Sequence, residues 1–356
     1  MRALLVALVL ACVSPAGAVP YVPADDAVVL ERLPEKSDPS LRALKRLRAA
    51  LDAHPDRLEL ALPLARKAIE ASRSTGDPRF LGQAEAALAP WWSAGDAPAP
   101  AILMRATIKQ SRHDFAGALA DLDRLIAAAP DNAQALVTRA TVLTVEGRYD
   151  EALRDCAALA RRATRLVSAA CRAGATRDAD AAYRDVTAAL ADSHGEPEVR
   201  AWASTLAGEL AARRGDRDAA RAHFADALAL DPRDAYSKAA YADFLLDQGR
   251  PGDALPLVAD DTRNDTLFLR LVLAEQQLPE RRASFEAHRV DLAERFEAAR
   301  RRGDAVHRRE EARFRLTIEH DAAGALALAR DNWKVQREPA DLRILQEAAR
   351  AAGVEP

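Results

Sequence analysis

Apolar side chains recur along this chain at intervals of three and four, with charged residues between them, which is the pattern of amphipathic helices. Leu41 to Ala53, Leu58 to Ser72 and Arg79 to Ala89 read as three such helices, punctuated by Pro55, Gly76 and Pro78. The stretch from Trp91 to Pro100, with Pro90, Gly95, Pro98 and Pro100, reads as a loop or joint. From Ala99 onwards a second, longer period is laid over the helical one. Ala118, Ala152, Ala220 and Ala254 lie on a lattice of 34 residues, and Val186 fills the intermediate node. Twelve residues before each node stands another small residue: Ala106, Ala140, Gly174, Gly208 and Ala242. Small residues at both places let two antiparallel helices approach closely, each supplying one member of the pair. Turn signals fall between them at Gly147, Gly215 and Gly249. The next turn of the second helix carries Leu122, Cys156, Leu190, Phe224 and Val258, and Pro130 and Pro232 end their repeats.

These residues resemble tetratricopeptide repeats. The clearest copies are His113-Asp114-Phe115-Ala116-Gly117-Ala118-Leu119 running to Pro130, Gly147-Arg148-Tyr149-Asp150-Glu151-Ala152-Leu153, and Gly215-Asp216 with Ala220, Phe224, Ala227, Leu228 and Pro232. The early tryptophan of the family pattern is missing, and the node from about Val167 to Arg200 is degenerate. His320 to Ala327 nearly repeats His113 to Ala120, so a further repeat is expected over Asp304 to Arg337. Pro279 to Arg302 reads as one extended helix, and Pro339 opens a closing helix to Ala352. The resemblance implies an all-α, right-handed α-solenoid of antiparallel helix pairs, a tetratricopeptide-like superhelix. Its expected parts are a leader at 1–18, an extended or poorly ordered lead at 19–39, an N-terminal helical region and joint at 40–98, an array of about five repeats at 99–268, and further repeat-like helices with a capping helix at 269–356.

The chain's beginning has a different character. Met1 and Arg2 precede an apolar run from Ala3 to Val13 and the small residues Ala16-Gly17-Ala18, the pattern of a signal peptide cut after Ala18. Export to the periplasm or beyond is the expectation. The alternative places Cys12, after Val9-Leu10-Ala11, at a lipoprotein cleavage site, which would tether the chain as a structural component of an envelope complex. With the leader gone, Cys156 and Cys171 remain. They lie seven and eight residues either side of a turn near Ala163 and Thr164, at equal height in an antiparallel pair, so an oxidising compartment would join them. The alternative is two small buried thiols.

A formal charge of -3 with 29% charged residues gives no general attraction to nucleic acid. No phosphate-binding glycine loop, serine elbow or paired-cysteine metal motif stands in the sequence, and no cofactor or metal is implied. The sequence therefore reads as a non-enzymatic scaffold for a protein or peptide partner, with a role in assembly or maturation suggested by analogy of fold; an enzyme would need a site at the Trp91 joint or at His307 with Glu310 and Glu311. Trp91 and Trp92 read first as packing over the joint. In solenoids of this family the first helix of each pair lines the concave groove. That resemblance marks Thr107, Gln110, Gln134, Thr141, Thr144, Trp202, Thr205, Glu209, Tyr236 and Asp243 as groove candidates. Trp202 and Tyr236, one period apart, are expected to stack as a column unless they only pack between repeats. Glu209 and Asp243 favour a basic or amide-rich segment over an acidic tail.

Overall fold

Every regular element of the computed structural model is helical among the residues it describes, which are residue 25, residues 39–304 and residues 307–355. The expected leader at 1–18, with Cys12, lies outside the described residues, and of the following lead Asp25 is described and exposed. The chain from Ser40 onwards forms one unit. It opens with α1 (Pro39–Ala53), α2 (Leu58–Thr75) and α3 (Arg79–Ala87). The expected joint contains one helical turn, α4 (Ala89–Trp92). Helix pairs then follow in order: α5 (Ala99–Ser111) with α6 (Phe115–Ala128), α7 (Ala133–Val145) with α8 (Tyr149–Leu159), and α9 (Arg165–Ala175) with α10 (Ala179–Ala191). They continue through α11 (Pro197–Arg213) with α12 (Arg217–Leu230), and α13 (Ala235–Asp247) with α14 (Pro251–Val258). After α15 (Asp265–Gln276), a 3-10 turn at Pro279–Arg281 precedes α16 (Arg282–Arg301), so the extended helix starts later than its sequence suggests. Helix α17 (Arg308–Phe314) runs into a π-helical turn (Arg315–Glu319) before α18 (Ala322–Trp333), and α19 (Pro339–Ala351) closes the chain.

The turns inside the pairs explain the repeat's phase. Five residues before a node the backbone turns left-handed, at Gly147, Gly215 and Gly249, where glycine bears no steric cost. His113 and His320 hold the same position with φ of 60° and 57°. They are the only non-glycine residues with positive φ among those described. One position later, Asp114, Asp216 and Asp321 accept from the third helical N–H and start the second helix.

Packing follows the small residues. A Cβ placed on Gly208 would stand 2.9 Å from the Phe224 ring, so the glycine is what allows α11 and α12 to close on that side chain. Phe224 is fully buried and stacks on Tyr241 of the next repeat. The apolar interior is a string of clusters: α1 to α5, α5 to α9, α9 to α11, α11 to α17, and α17 to α19. A polar repeat accompanies it. Arg105 of α5 forks onto Asp121 of α6, and one period later Arg139 of α7 forks onto Asp155 of α8. Arg105 also donates to the carbonyls of Trp91, Trp92 and Ala94 and so fastens the joint to the array, with both tryptophans packed on the N-terminal cluster.

The solenoid winds far enough for its second turn to rest on its first. The Tyr149 hydroxyl donates to the Arg337 carbonyl across 188 residues of chain, and the Arg337 N–H donates to the Val145 carbonyl at 2.7 Å. Gly76, between α2 and α3, touches Asn264 at the start of α15 with the same spacing. One superhelical turn therefore takes about five and a half repeats.

Candidate functional site

Odd-numbered helices from α5 to α19 pack on one another and form the inner face of the superhelix. The groove candidates stand on these helices, and the structure gives them unequal surroundings. Gln134 and Thr141 are exposed, while Thr107, Gln110 and Thr144 are half-buried, and all three threonine hydroxyls turn back to the carbonyl four residues earlier in their own helix. Thr205 is buried and shares a hydrogen bond with Ser237, so it joins α11 to α13 and does not face an open groove. Trp202 is half-buried and packs on the two clusters that meet at α9. Tyr236 is 53% exposed, the most open of the large apolar side chains described. Its hydroxyl donates to Glu209 at 2.6 Å. The two rings, expected to stack as a column, are divided between different neighbours.

Charge within the inner face is arranged by the last turn of the solenoid. Asp243 of α13 receives Arg270 of α15 at 2.7 Å and Arg313 of α17 at 2.5 Å. Burial opposes its ionisation, but the two guanidinium groups outweigh burial and hold its pKa well below the usual carboxylate range. It is therefore a neutralised anion. Glu209 differs. Its enclosure inside the concave face pushes its pKa up to about 7, the Tyr236 hydrogen bond works against that rise, and the nearby Glu338 charge adds to it. Tyr236 is raised in turn, chiefly by the Glu209 charge beside it. Arg309 of α17 balances this group, pairing with Glu338 at 3.2 Å and Asp341 at 3.4 Å. Sequence periodicity could place Glu209 and Asp243 on one face; it could not show that residues 70 or more positions downstream return to them.

The two glutamates that follow His307 are held in ion pairs. Glu310 and Glu311 are buried. Glu310 lies among Arg270 and Arg309, and burial notwithstanding, those cations lower its pKa to about 2. Glu311 pairs with Arg300 and Arg315. Among the described residues no group of three or more His, Cys, Asp or Glu is placed to hold a metal ion.

Cys156 of α8 and Cys171 of α9 form a disulfide with their Cα atoms 5.5 Å apart. It joins the second helix of one pair to the first of the next, at the entry to the degenerate repeat. No described helix is long and apolar enough to cross a membrane.

The tetratricopeptide repeat family matches residues 103–166 and 205–265. The gap between the two matches falls on the α9–α10 pair, whose turn lacks the left-handed residue of its neighbours. No curated protein matches the chain. Among solved structures, a tetratricopeptide repeat protein from Parabacteroides merdae is 15% identical over 80% of this chain and 98% of its own, with a TM-score of 0.39. A Rap protein complexed with Competence and Sporulation Factor is 14% identical over 87% and 93%, with a TM-score of 0.47. With its left-handed turns on the 34-residue lattice and its inner face of first helices, the chain is an all-α solenoid, and residues 103–166 and 205–265 of it are similar to tetratricopeptide repeats.

Proposed function

We propose that the chain is an exported scaffold that holds a protein or peptide partner along the inner face of its repeats, with Tyr236 and Glu209 as the point of capture. The observation that carries this reading is Tyr236 itself: an aromatic ring more than half exposed, fixed by its hydroxyl to a carboxylate inside a concave surface. Such a ring offers large contact area with little side-chain freedom to lose. Asp243 is already occupied by Arg270 and Arg313, so Glu209 is the carboxylate of the original pair left to receive a cationic or amide group. The partner is accordingly a segment with a basic or amide-bearing side chain beside an apolar one. Export is supported by the reading of residues 1–18 and by the buried disulfide, which suits an oxidising compartment. An assembly or maturation role in the envelope would follow from that location.

The test is quantitative capture of the partner recovered from the native envelope. Tyr236→Ala is expected to weaken binding tenfold or more, about 1.4 kcal/mol, with unchanged helix content by circular dichroism. Glu209→Lys is expected to slow association and reduce its salt dependence. Binding that survives both substitutions overturns the assignment. Intact mass of the mature protein tests export, with Val19 expected at its N-terminus and a lipid adduct on Cys12 counting against a free protein.

A further inference from the structure

We propose that the contact between the two superhelical turns is a clasp that opens to admit the partner to the inner face. The clasp comprises the backbone bond from the Arg337 N–H to the Val145 carbonyl and the Tyr149 hydroxyl on the Arg337 carbonyl, and it is braced from within the last turn by Arg343 of α19 on Asp247 of α13 at 2.8 Å. Arg313 on Asp243 lies behind them. These contacts are of a different kind from those within a turn. Neighbouring repeats share buried apolar clusters, whereas the cluster of α17 to α19 contains no residue from α5 to α13. What crosses the seam is polar: both hydrogen bonds fall on the Arg337 backbone. Arg343 and Asp247 are themselves partly solvent-exposed, where an ion pair contributes little and salt weakens it.

Opening needs no single hinge. The buried apolar clusters join neighbouring repeats, so a small increase of pitch in each pair between α7 and α19 separates the turns and leaves those clusters intact. Closure, in contrast, brings α17 and α19 over the inner face beside Tyr236 and Glu209. Arg309 and Glu338 both act on those two groups electrostatically. A segment long enough to lie along α11 and α13 therefore meets the last turn before it is seated.

The seam can be locked. An ideal Cβ on Gly147 stands 3.1 Å from the Arg337 Cβ, within a few tenths of an ångström of disulfide spacing, so Gly147→Cys with Arg337→Cys can be joined; the side chain at the left-handed position 147 adds strain, and the reduced double variant is therefore the reference for the locked one. The amide hydrogen of Arg337 reports opening directly, because its acceptor is across the seam. In the full-length wild type its exchange is expected to be at least tenfold faster than that of buried amides of α11, and faster again at high salt. In the locked chain it should slow at least tenfold and lose its salt response. Mild reduction of the surface disulfide, with the buried Cys156–Cys171 bridge intact, should restore both. Asp247→Ala, which removes the brace without a turn substitution, should speed exchange at Arg337 and not within α11. Exchange at Arg337 as slow as in α11 in the wild type, or unchanged by the lock, overturns the clasp. The admission step rests on the function proposed above, and its arm is separate. Locked protein should lose partner capture that reduction restores; equal capture locked and reduced overturns admission through the seam while leaving the capture site standing. Loss of capture by Tyr236→Ala tests that site independently.

Discussion

Arg105→Ala tests the polar repeat that ties the array together. Arg105 is 3% exposed and donates two hydrogen bonds to Asp121, which is fully buried, and three more to the carbonyls of Trp91, Trp92 and Ala94. Removing one member of a buried charge pair costs about 3–5 kcal/mol when the other is stranded. Asp121 keeps Lys109 and Arg124, so the lower end applies, about 3 kcal/mol. The matched control is Arg139→Ala. Its fork onto Asp155 has the same geometry one period later, and Asp155 is 5% exposed with no second cation paired to it among the described residues, so this loss also costs about 3 kcal/mol. Urea unfolding followed by circular dichroism should therefore give the two variants similar midpoints. What separates them is the joint: in the Arg105 variant alone the tryptophan emission should shift at lower denaturant than helix loss, because Trp91 and Trp92 are released when their carbonyls lose Arg105. An early emission shift in the Arg139 variant, or none in the Arg105 variant, would refute the reasoning that the three carbonyls distinguish the two pairs.

Other outcomes follow from single contacts. Gly208→Val should destabilise by about 1–3 kcal/mol through overpacking on Phe224, against the usual helix gain from replacing glycine, and chemical denaturation would show it. Cys156→Ala with Cys171→Ala should cost about 3 kcal/mol by removing a 15-residue loop closure, and both cysteines of unfolded, unreduced wild type should resist thiol labelling. Glu209 binds its proton more tightly folded than unfolded, so its contribution is fully present below pH about 4.5 and is lost as pH rises to about 7. His113 has the opposite sign: burial lowers its pKa to about 4, so stability is lost as pH falls from about 6.5 towards 4. Comparing urea midpoints of wild type and Glu209→Gln at pH 5.5 and 8 isolates the first effect; the variant should lose less on going to pH 8, and parallel curves would contradict it.

The helix pairs were legible because close helix approach needs small residues at fixed spacing, and Ala118, Ala152, Gly208 and Ala220 repeat that requirement visibly. His113 and His320 were legible as part of repeated motifs but not as left-handed residues, since glycine is the ordinary signal for that conformation. Tyr236 and Glu209 could be placed on one face from periodicity alone. Their hydrogen bond, the burial of Thr205 and the packing of Trp202 depend on how α11 meets α9 and α13, which no local pattern encodes. Least legible was the return of Arg313, Arg337 and Arg343 to the middle of the array. It arises from the summed pitch of successive pairs, and each pair's sequence specifies only its own small rotation.

Site-specific photo-crosslinking in the native cell tests the central claim most directly. A photoreactive residue at Gln134, Thr141 or Tyr236 lies on an inner helix, and one at Arg154 or Asp218 lies on the second helix of its pair; all five positions are exposed. The account predicts one partner band, shared by the three inner positions, strongest at Tyr236 and absent from the other two. A band of equal strength at Arg154 and Asp218, with none at Tyr236, would contradict it.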